Sequence, residues 1–215
     1  MFIGHFAVGF ASKRLAPRAP LGPLMAAPLL LDLIWPIFLL AGWEEVRIAP
    51  GNTAFTPLDF VRYPYSHSLA TAAGWALLFG AVYWVYGKYQ AGAVVIGFSV
   101  VSHWVLDALA HRPDLPLYPC GATRLGAGLW NSVAGTLAVE SLMFAVGLWL
   151  YATMTRARDG AGRWGFWLFV AFLILIYFGN AFGPPPPNLR ALLATAFGAW
   201  ILPFWAAWFD RHRAV

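Results

Sequence analysis

Charged side chains are scarce in this chain, at 11% of its 215 residues, whereas 60% of the residues are hydrophobic. Soluble domains carry about 25% charged residues, so the composition excludes an ordinary soluble domain and predicts an integral membrane protein. The single cysteine, Cys120, excludes an internal disulfide. The net charge of +5 comes from basic residues at the ends of apolar runs, so we expect no nucleic-acid partner.

Several common catalytic motifs are also missing. The chain contains no GxSxG, P-loop, CxxC or HExxH motif, which disfavours the commonest serine, nucleotide-binding and zincin mechanisms. No basic segment precedes the first apolar stretch, so we expect no cleavable signal peptide. The sequence shows no internal repeat, although paired halves are common in transporters.

Long apolar runs are what the sequence has instead. Six of them can cross a bilayer, which takes about 20 residues: Pro20–Trp43, Leu69–Tyr86, Gln90–Ala110, Leu129–Met154, Trp164–Phe182 and Arg190–Phe209. A shorter apolar piece, Met1–Ala11, predicts a short or tilted helix. Residues 1–215 are therefore predicted to form a single membrane domain. Its fold class is all-α, a polytopic helical bundle of six long spans plus a short N-terminal helix.

The basic residues are distributed unequally between the two sides of the predicted bundle. One side receives most of them: Lys13, Arg14, Arg18, Lys88, Arg156, Arg158, Arg163, Arg211 and Arg213. By the positive-inside rule this side is predicted to face the cytoplasm. The histidines and acidic residues inside the apolar runs then fall in the outer half of the membrane.

His103 and Asp107 are the most informative of these residues. They are four positions apart in an otherwise apolar run, which places both side chains on one face of a helix. Ionisable residues inside a membrane are costly and mark functional sites, and imidazole and carboxylate are common metal ligands. Alternatively, Asp107 only accepts a hydrogen bond from His103 in a packed core. Asp32 favours the metal, since the spans offer almost no arginine to pair with it.

Three further residues could lie in one cavity with His103, Asp107 and Asp32. His67 begins a span, at the same depth as His103, and is either a ligand or an interfacial histidine. His5 begins the N-terminal piece and is a weaker ligand candidate. Glu140 lies in the middle of its span, where it is a second-metal ligand, a general base or a hydrogen-bond acceptor for Trp130 or Asn131.

The loop after the His–Asp helix adds three candidates. His111 is placed to act as an acid–base group or a further ligand, and the alternative is a solvated loop residue. Arg112 and Arg124 could hold a substrate phosphate, and the alternative is contact with lipid headgroups.

Read in order, the candidate residues form a recognisable series: His5, Asp32, the pair His67–Ser68, the SHxxxD stretch Ser102–Asp107 and the proline-rich Leu115–Pro119. This series resembles the LexA-binding, inner-membrane-associated metal-dependent hydrolases. That family is similar to the superfamily of zinc-dependent phospholipase C and single-strand nucleases. The resemblance covers about residues 1–145, and residues 146–215 carry additional spans.

The resemblance implies a ligand set. Asp32, His67, His103 and Asp107 would form one metal site, and Asp107 would bridge to a metal held by His5. His111 and Glu140 would be candidates for a further ion. The later HxxxE or HxxxD pair of the soluble enzymes is reduced here to Thr136-x-x-x-Glu140, so one or two ions are expected rather than three.

The leading expectation is a metal-dependent hydrolase of the bacterial inner membrane, with its site on the outer side. Its substrate would be a phosphoester or related bond in a membrane lipid, a lipid-linked molecule or another membrane-proximal molecule. The ion would be zinc, with manganese or iron as alternatives, and Asp32 or Glu140 would be the base. The alternatives are a transporter that moves protons or a cation through the same cluster, a catalytically degenerate member, and haem ligation by His67 and His103.

Overall fold

Helices make up most of the fold, and the computed structural model describes every residue from Met1 to Val215. In chain order the helices are α1 (Ile3–Leu15), α2 (Leu21–Leu40), α3 (Pro64–His67), α4 (Leu69–Gly87), α5 (Gln90–Ala110), α6 (Val133–Met154), α7 (Gly160–Phe182), α8 (Leu189–Gly198) and α9 (Ile201–Arg211). The strands form three short antiparallel pairs: β1 (Glu45–Ile48) with β2 (Leu58–Arg62), β3 (Leu115–Pro116) with β4 (Arg124–Leu125), and β5 (Arg156–Ala157) with β6 (Arg213–Ala214). The prediction of an all-α helical bundle is confirmed.

Six helical segments are long and apolar enough to cross a membrane: α2, α4, α5, α6, α7 and the stretch Leu189–Arg211 that contains α8 and α9. They support an integral membrane protein with transmembrane helices. Helix α2 is the most interior of them: 61% of its apolar stretch is buried inside the protein, compared with 17% for α4. Helix α1 has only 13 residues and packs on α2 and α6, in agreement with the short N-terminal helix that the sequence predicts.

Small residues allow the helices of the bundle to approach closely. A Cβ added at Gly147 of α6 would lie 2.4 Å from the backbone oxygen of Ala7 in α1. Only glycine fits such a contact without moving one of the two helices. The position of α1, and of the His5 side chain it carries, therefore depends on Gly147.

The last predicted span is not one continuous helix. It divides into α8 and α9 at Ala199 and Trp200. Pro203 provides the physical reason, because proline has no amide proton for the carbonyl four residues earlier, Ala199, and its ring crowds that carbonyl.

A hairpin of β1 and β2 fills the connection between α2 and α3. The register pairs Val46 with Phe60 and Ile48 with Leu58, and neither strand is predicted from the sequence. The Phe60 ring lies 4.9 Å from the ring of His111 at the end of α5. The hairpin thus packs on the end of the bundle where α5 brings its polar side chains.

The other end of α1 is secured by a buried acidic residue. Asp210 of α9 accepts hydrogen bonds from Lys13 Nζ (3.0 Å), the Leu21 amide (2.9 Å) and the Tyr151 hydroxyl (2.7 Å). All these groups are buried, and a buried charge is tolerated only when it is paired and hydrogen-bonded in this way. Asp210 therefore joins α9 to α1, α2 and α6.

Candidate metal centre

His103 and Asp107 lie on one face of α5, as their spacing predicts. His103 Nε2 is 3.1 Å from Asp107 Oδ2, and both side chains are buried. Helix α5 is continuous from Gln90 to Ala110. Residues four apart in such a helix lie on the same face, which brings His103 and Asp107 into contact. The pair forms the base of a polar cluster inside an otherwise apolar bundle.

Asp32 and His67 join this pair from two other helices. His67, the last residue of α3, places Nε2 3.4 Å from Asp32 Oδ1 of α2 and 3.9 Å from Asp107 Oδ2. His103 Nε2 lies 3.9 Å from the same Asp32 oxygen. Imidazole nitrogens and carboxylate oxygens from three helices therefore come together, although Asp32 and His103 are 71 residues apart along the chain.

Three of these atoms, from Asp32, His67 and His103, lie close enough together to hold one metal ion, and Asp107 Oδ2 lies beside the two histidine nitrogens. Zinc binds histidine nitrogen and carboxylate oxygen at about 2.0–2.2 Å, and in a tetrahedron its ligand atoms lie roughly 3.3–3.5 Å apart. The four separations given above run from 3.1 to 3.9 Å. Buried histidine and aspartate side chains in this arrangement can hold a metal ion.

The hydrogen bonds of His103 also suit a metal. His103 Nδ1 is 2.7 Å from the carbonyl oxygen of Pro28, which can only accept, so Nδ1 carries the proton and Nε2 keeps a lone pair. His103 Nε2 is buried and has no hydrogen-bond partner. A buried lone pair that faces a carboxylate is repelled by it, whereas a cation between the two attracts both.

His5 forms a second group with the same pair. Its Nε2 lies 3.2 Å from Asp107 Oδ1, and its ring stacks on the ring of His103 at 3.9 Å between centroids. His5, His103 and Asp107 bring their ligand atoms together as Asp32, His67 and His103 do. Asp107 faces both groups through different oxygens. The Met1 amino group also contacts Asp107 Oδ1, whereas His67, His103 and His111 face Oδ2.

Asp32 is the accessible member of the cluster. Its side chain is 46% exposed, while those of His67, His103 and Asp107 are at most 4% exposed. The exposed edge of the cluster therefore lies beside Asp32.

His111 lies at the edge of the cluster. Its Nε2 is 3.7 Å from Asp107 Oδ2, and its Nδ1 is 3.0 Å from Asp114 Oδ1. Tyr63 donates a hydrogen bond of 2.8 Å to the same Asp114 oxygen. Burial raises the pKa of Tyr63, and the charge of Asp114 raises it further, so Tyr63 stays a donor. Burial also raises the pKa of Asp114, but hydrogen bonds from His111 and Tyr63 outweigh this effect and lower it.

Glu140 is buried but is not grouped with the ligand atoms. Its Oε2 accepts hydrogen bonds from the backbone amides of Phe2 (2.8 Å) and Gly4 (3.1 Å). A carboxylate at the N-terminus of a helix satisfies unpaired amides and interacts favourably with the helix dipole. In the structure Glu140 caps α1 from a neighbouring helix, and it bonds neither Trp130 nor Asn131.

The two arginines differ in their freedom to bind a substrate. The guanidinium of Arg112 contacts Asp59, Asn52 and Asp114, so its donors are engaged within the protein. Arg124 makes one long hydrogen bond of 3.4 Å, to the carbonyl oxygen of Asp114. Only Arg124 is therefore open to a ligand.

Sequence reasoning missed Glu44 and the role of Ser66. Glu44 lies just before β1, is buried, and accepts a hydrogen bond of 2.6 Å from the Ser66 hydroxyl. Ser66 lies 2.6 Å from His67 Nδ1. The only signal for Ser66 in the sequence was its position directly before His67. Ser66 does not cap α4, because that cap is Ser68, which accepts from the Thr71 amide. Nothing near Glu44 in the sequence indicates that it faces Ser66.

No family model matches the chain, and neither does a curated protein or a solved structure.

Proposed function

We propose that this chain is an integral membrane hydrolase that depends on a divalent metal ion, with zinc as the resident ion and manganese or iron as alternatives. The observation that supports it best is the convergence of Asp32, His67 and His103, with Asp107 Oδ2 lying 3.1 Å from His103 Nε2 and 3.9 Å from His67 Nε2. These residues would hold one ion, and His5 with Asp107 Oδ1 would hold a second. The resemblance to the membrane-associated metal-dependent hydrolases points to the same reaction class.

The metal would supply Lewis acidity, which lowers the pKa of water and stabilises negative charge on a phosphoryl oxygen. Asp32 is the carboxylate that combines proximity to the ligand atoms with access from outside. We assign to it the acceptance of a proton from the attacking water. Glu140 is excluded from this role in the proposal because its side chain is fully buried and is not grouped with the ligand atoms, while its Oε2 is engaged by the α1 amides.

His111 is the second acid–base group of the proposal. Asp114 and Tyr63 orient its ring from the side away from Asp107. An imidazole held by a carboxylate can deliver a proton to a leaving group. Its Nε2 faces the cluster, where such a leaving group would lie.

The proposed substrate is a phosphoester or related bond in a membrane lipid or a lipid-linked molecule. The cluster lies between helices that are apolar enough to span a membrane, so lipids are the molecules that surround it. Arg124 is the residue that we assign to a substrate phosphate. The distribution of basic residues supports a site towards the outer side of the membrane, and the resemblance points to the bacterial inner membrane.

Elemental analysis of the purified protein tests the proposal. The wild type is compared with His103→Ala, Asp107→Ala and the control Asp159→Asn, whose side chain is about half exposed and bonds His212. We expect close to stoichiometric zinc, manganese or iron in the wild type and the control, and little in the two alanine variants. Release of phosphate-containing product from phospholipid vesicles should follow the metal content. A wild type without metal after metal is resupplied would overturn the proposal.

A further inference from the structure

Glu44 is a buried carboxylate outside the membrane-spanning helices whose two oxygens are both fully engaged. Oε1 accepts hydrogen bonds from the backbone amides of Tyr65 and Ser66, each 2.8 Å long. Oε2 accepts a hydrogen bond of 2.6 Å from the Ser66 hydroxyl. The carboxylate is only 4% exposed. It therefore acts as an acceptor at three points and fixes the direction of the Ser66 O–H bond.

This direction determines the protonation of His67. A serine hydroxyl has one proton, and here the proton is donated to Glu44. The Ser66 oxygen also lies 2.6 Å from His67 Nδ1, so it must accept a proton from that nitrogen. His67 then carries its hydrogen on Nδ1 and keeps a lone pair on Nε2, the atom that lies 3.4 Å from Asp32 Oδ1.

We propose that Glu44 is a positioning residue of the metal centre, which acts through the Ser66 hydroxyl to select the tautomer and orientation in which His67 binds the ion. The inference rests on the proposed metal site and not on the reaction that the site performs. Hydrogen-bond partners of this kind fix ligand rings in other metal sites, and their loss typically weakens metal binding 10–100-fold.

Replacing Glu44 with glutamine reverses the chain of hydrogen bonds without changing its shape. The amide oxygen must face the Tyr65 and Ser66 amides, because an NH₂ group cannot accept from them. The NH₂ group then faces Ser66 and donates to its oxygen. Of the partners that the Ser66 hydroxyl has in the structure, His67 Nδ1 is then the only acceptor left for its proton. The histidine proton moves to Nε2, and the lone pair needed for the metal is lost.

The experiment measures zinc affinity of the full chain in detergent, by competition with a chromophoric chelator. Four proteins are compared: wild type, Glu44→Gln, Ser66→Ala and the double variant. We expect about tenfold weaker binding for Ser66→Ala, which leaves His67 free to choose its tautomer, and about 100-fold weaker binding for Glu44→Gln. The double variant should bind no more weakly than Ser66→Ala, because the reversal needs the hydroxyl.

A spectroscopic readout and a matched control accompany these affinities. Cobalt(II) replaces zinc, and its visible absorption should change in Glu44→Gln because a nitrogen ligand is lost. The neighbouring variant Glu45→Gln removes a carboxylate that is exposed and pairs with Arg47. It should match the wild type in both zinc affinity and cobalt spectrum.

Three outcomes would overturn the inference. Wild-type affinity in Glu44→Gln would show that Glu44 is only a cap for α3. The same conclusion would follow if the fold-loss of zinc affinity in the double variant equalled the product of the fold-losses in the two single variants. Absence of zinc binding in the wild type would remove the metal centre and this inference together. Zinc binding with the expected order of variants, but without hydrolysis, would support the inference and overturn the hydrolase proposal alone.

Discussion

Changing Asp107 to asparagine should abolish most of the stabilisation that zinc gives to the folded protein. Asp107 Oδ2 lies 3.1 Å from His103 Nε2, and Oδ1 lies 3.2 Å from His5 Nε2. Asparagine preserves the shape of the side chain but removes its negative charge. An ion that binds only the folded state stabilises it by about 2.7 kcal/mol at a free concentration 100 times its Kd.

That free energy corresponds to a measurable shift in Tm. For a chain of 150–250 residues, 1 kcal/mol moves Tm by about 2–4 °C, so zinc should raise the Tm of the wild type by roughly 5–11 °C. The shift is followed by tryptophan fluorescence in detergent, for which the chain has 12 tryptophans. The metal-free protein is prepared with a chelator and zinc is then added back.

The matched control is Asp159→Asn, which removes a carboxylate that bonds His212 near the C-terminus. We expect the control to keep the full zinc shift and Asp107→Asn to lose most of it. Equal shifts in all three proteins would refute the placement of Asp107 at the metal. A wild type whose Tm does not respond to zinc would refute the metal centre.

Two further predictions concern packing and pH. Gly147→Ala should lower the free energy of unfolding by about 1–3 kcal/mol, measured by thermal unfolding, since the added Cβ would lie 2.4 Å from an α1 backbone oxygen. The control Gly74→Ala adds a Cβ with nothing within 4 Å and should be neutral or stabilising. Equal effects of the two substitutions would contradict the packing argument. The Gly162 amide, and after it His212, lower the pKa of Asp159. Its contribution to stability is therefore complete above the ordinary pKa of about 3.9 and is lost as the pH falls through the lowered value. An NMR titration that gives an ordinary or raised pKa for Asp159 would contradict this.

The membrane helices were predictable because their signal is local. A run of about 20 apolar residues has few alternatives to a membrane span, and the predicted run Gln90–Ala110 coincides with α5. The contact of His103 with Asp107 was equally accessible, since helical periodicity alone places them together. The effect of a proline on a helix is also local. The break at Ala199 was nevertheless not predicted, because Pro203 lies inside a long apolar run that favours a single span.

The ligand cluster was only partly predictable. Five polar residues in apolar runs of the sequence were candidates, and the structure buries or half-buries them: His5, Asp32, His67, His103 and Asp107. Their cost inside a membrane requires partners, but the sequence does not say which partners. Glu140 shows the difference, because the partners of its Oε2 are two backbone amides at the start of α1.

By itself, then, the sequence determined the membrane class, the helical bundle and the residues whose polarity needed an explanation. These follow from composition and from the period of the helix, which act over neighbouring residues. Only the tertiary structure decided that Glu44 faces Ser66, that Pro28 accepts from His103, and that Arg112 is bound by acidic neighbours. Such pairings depend on how separate segments dock, and no local pattern encodes the distance between them.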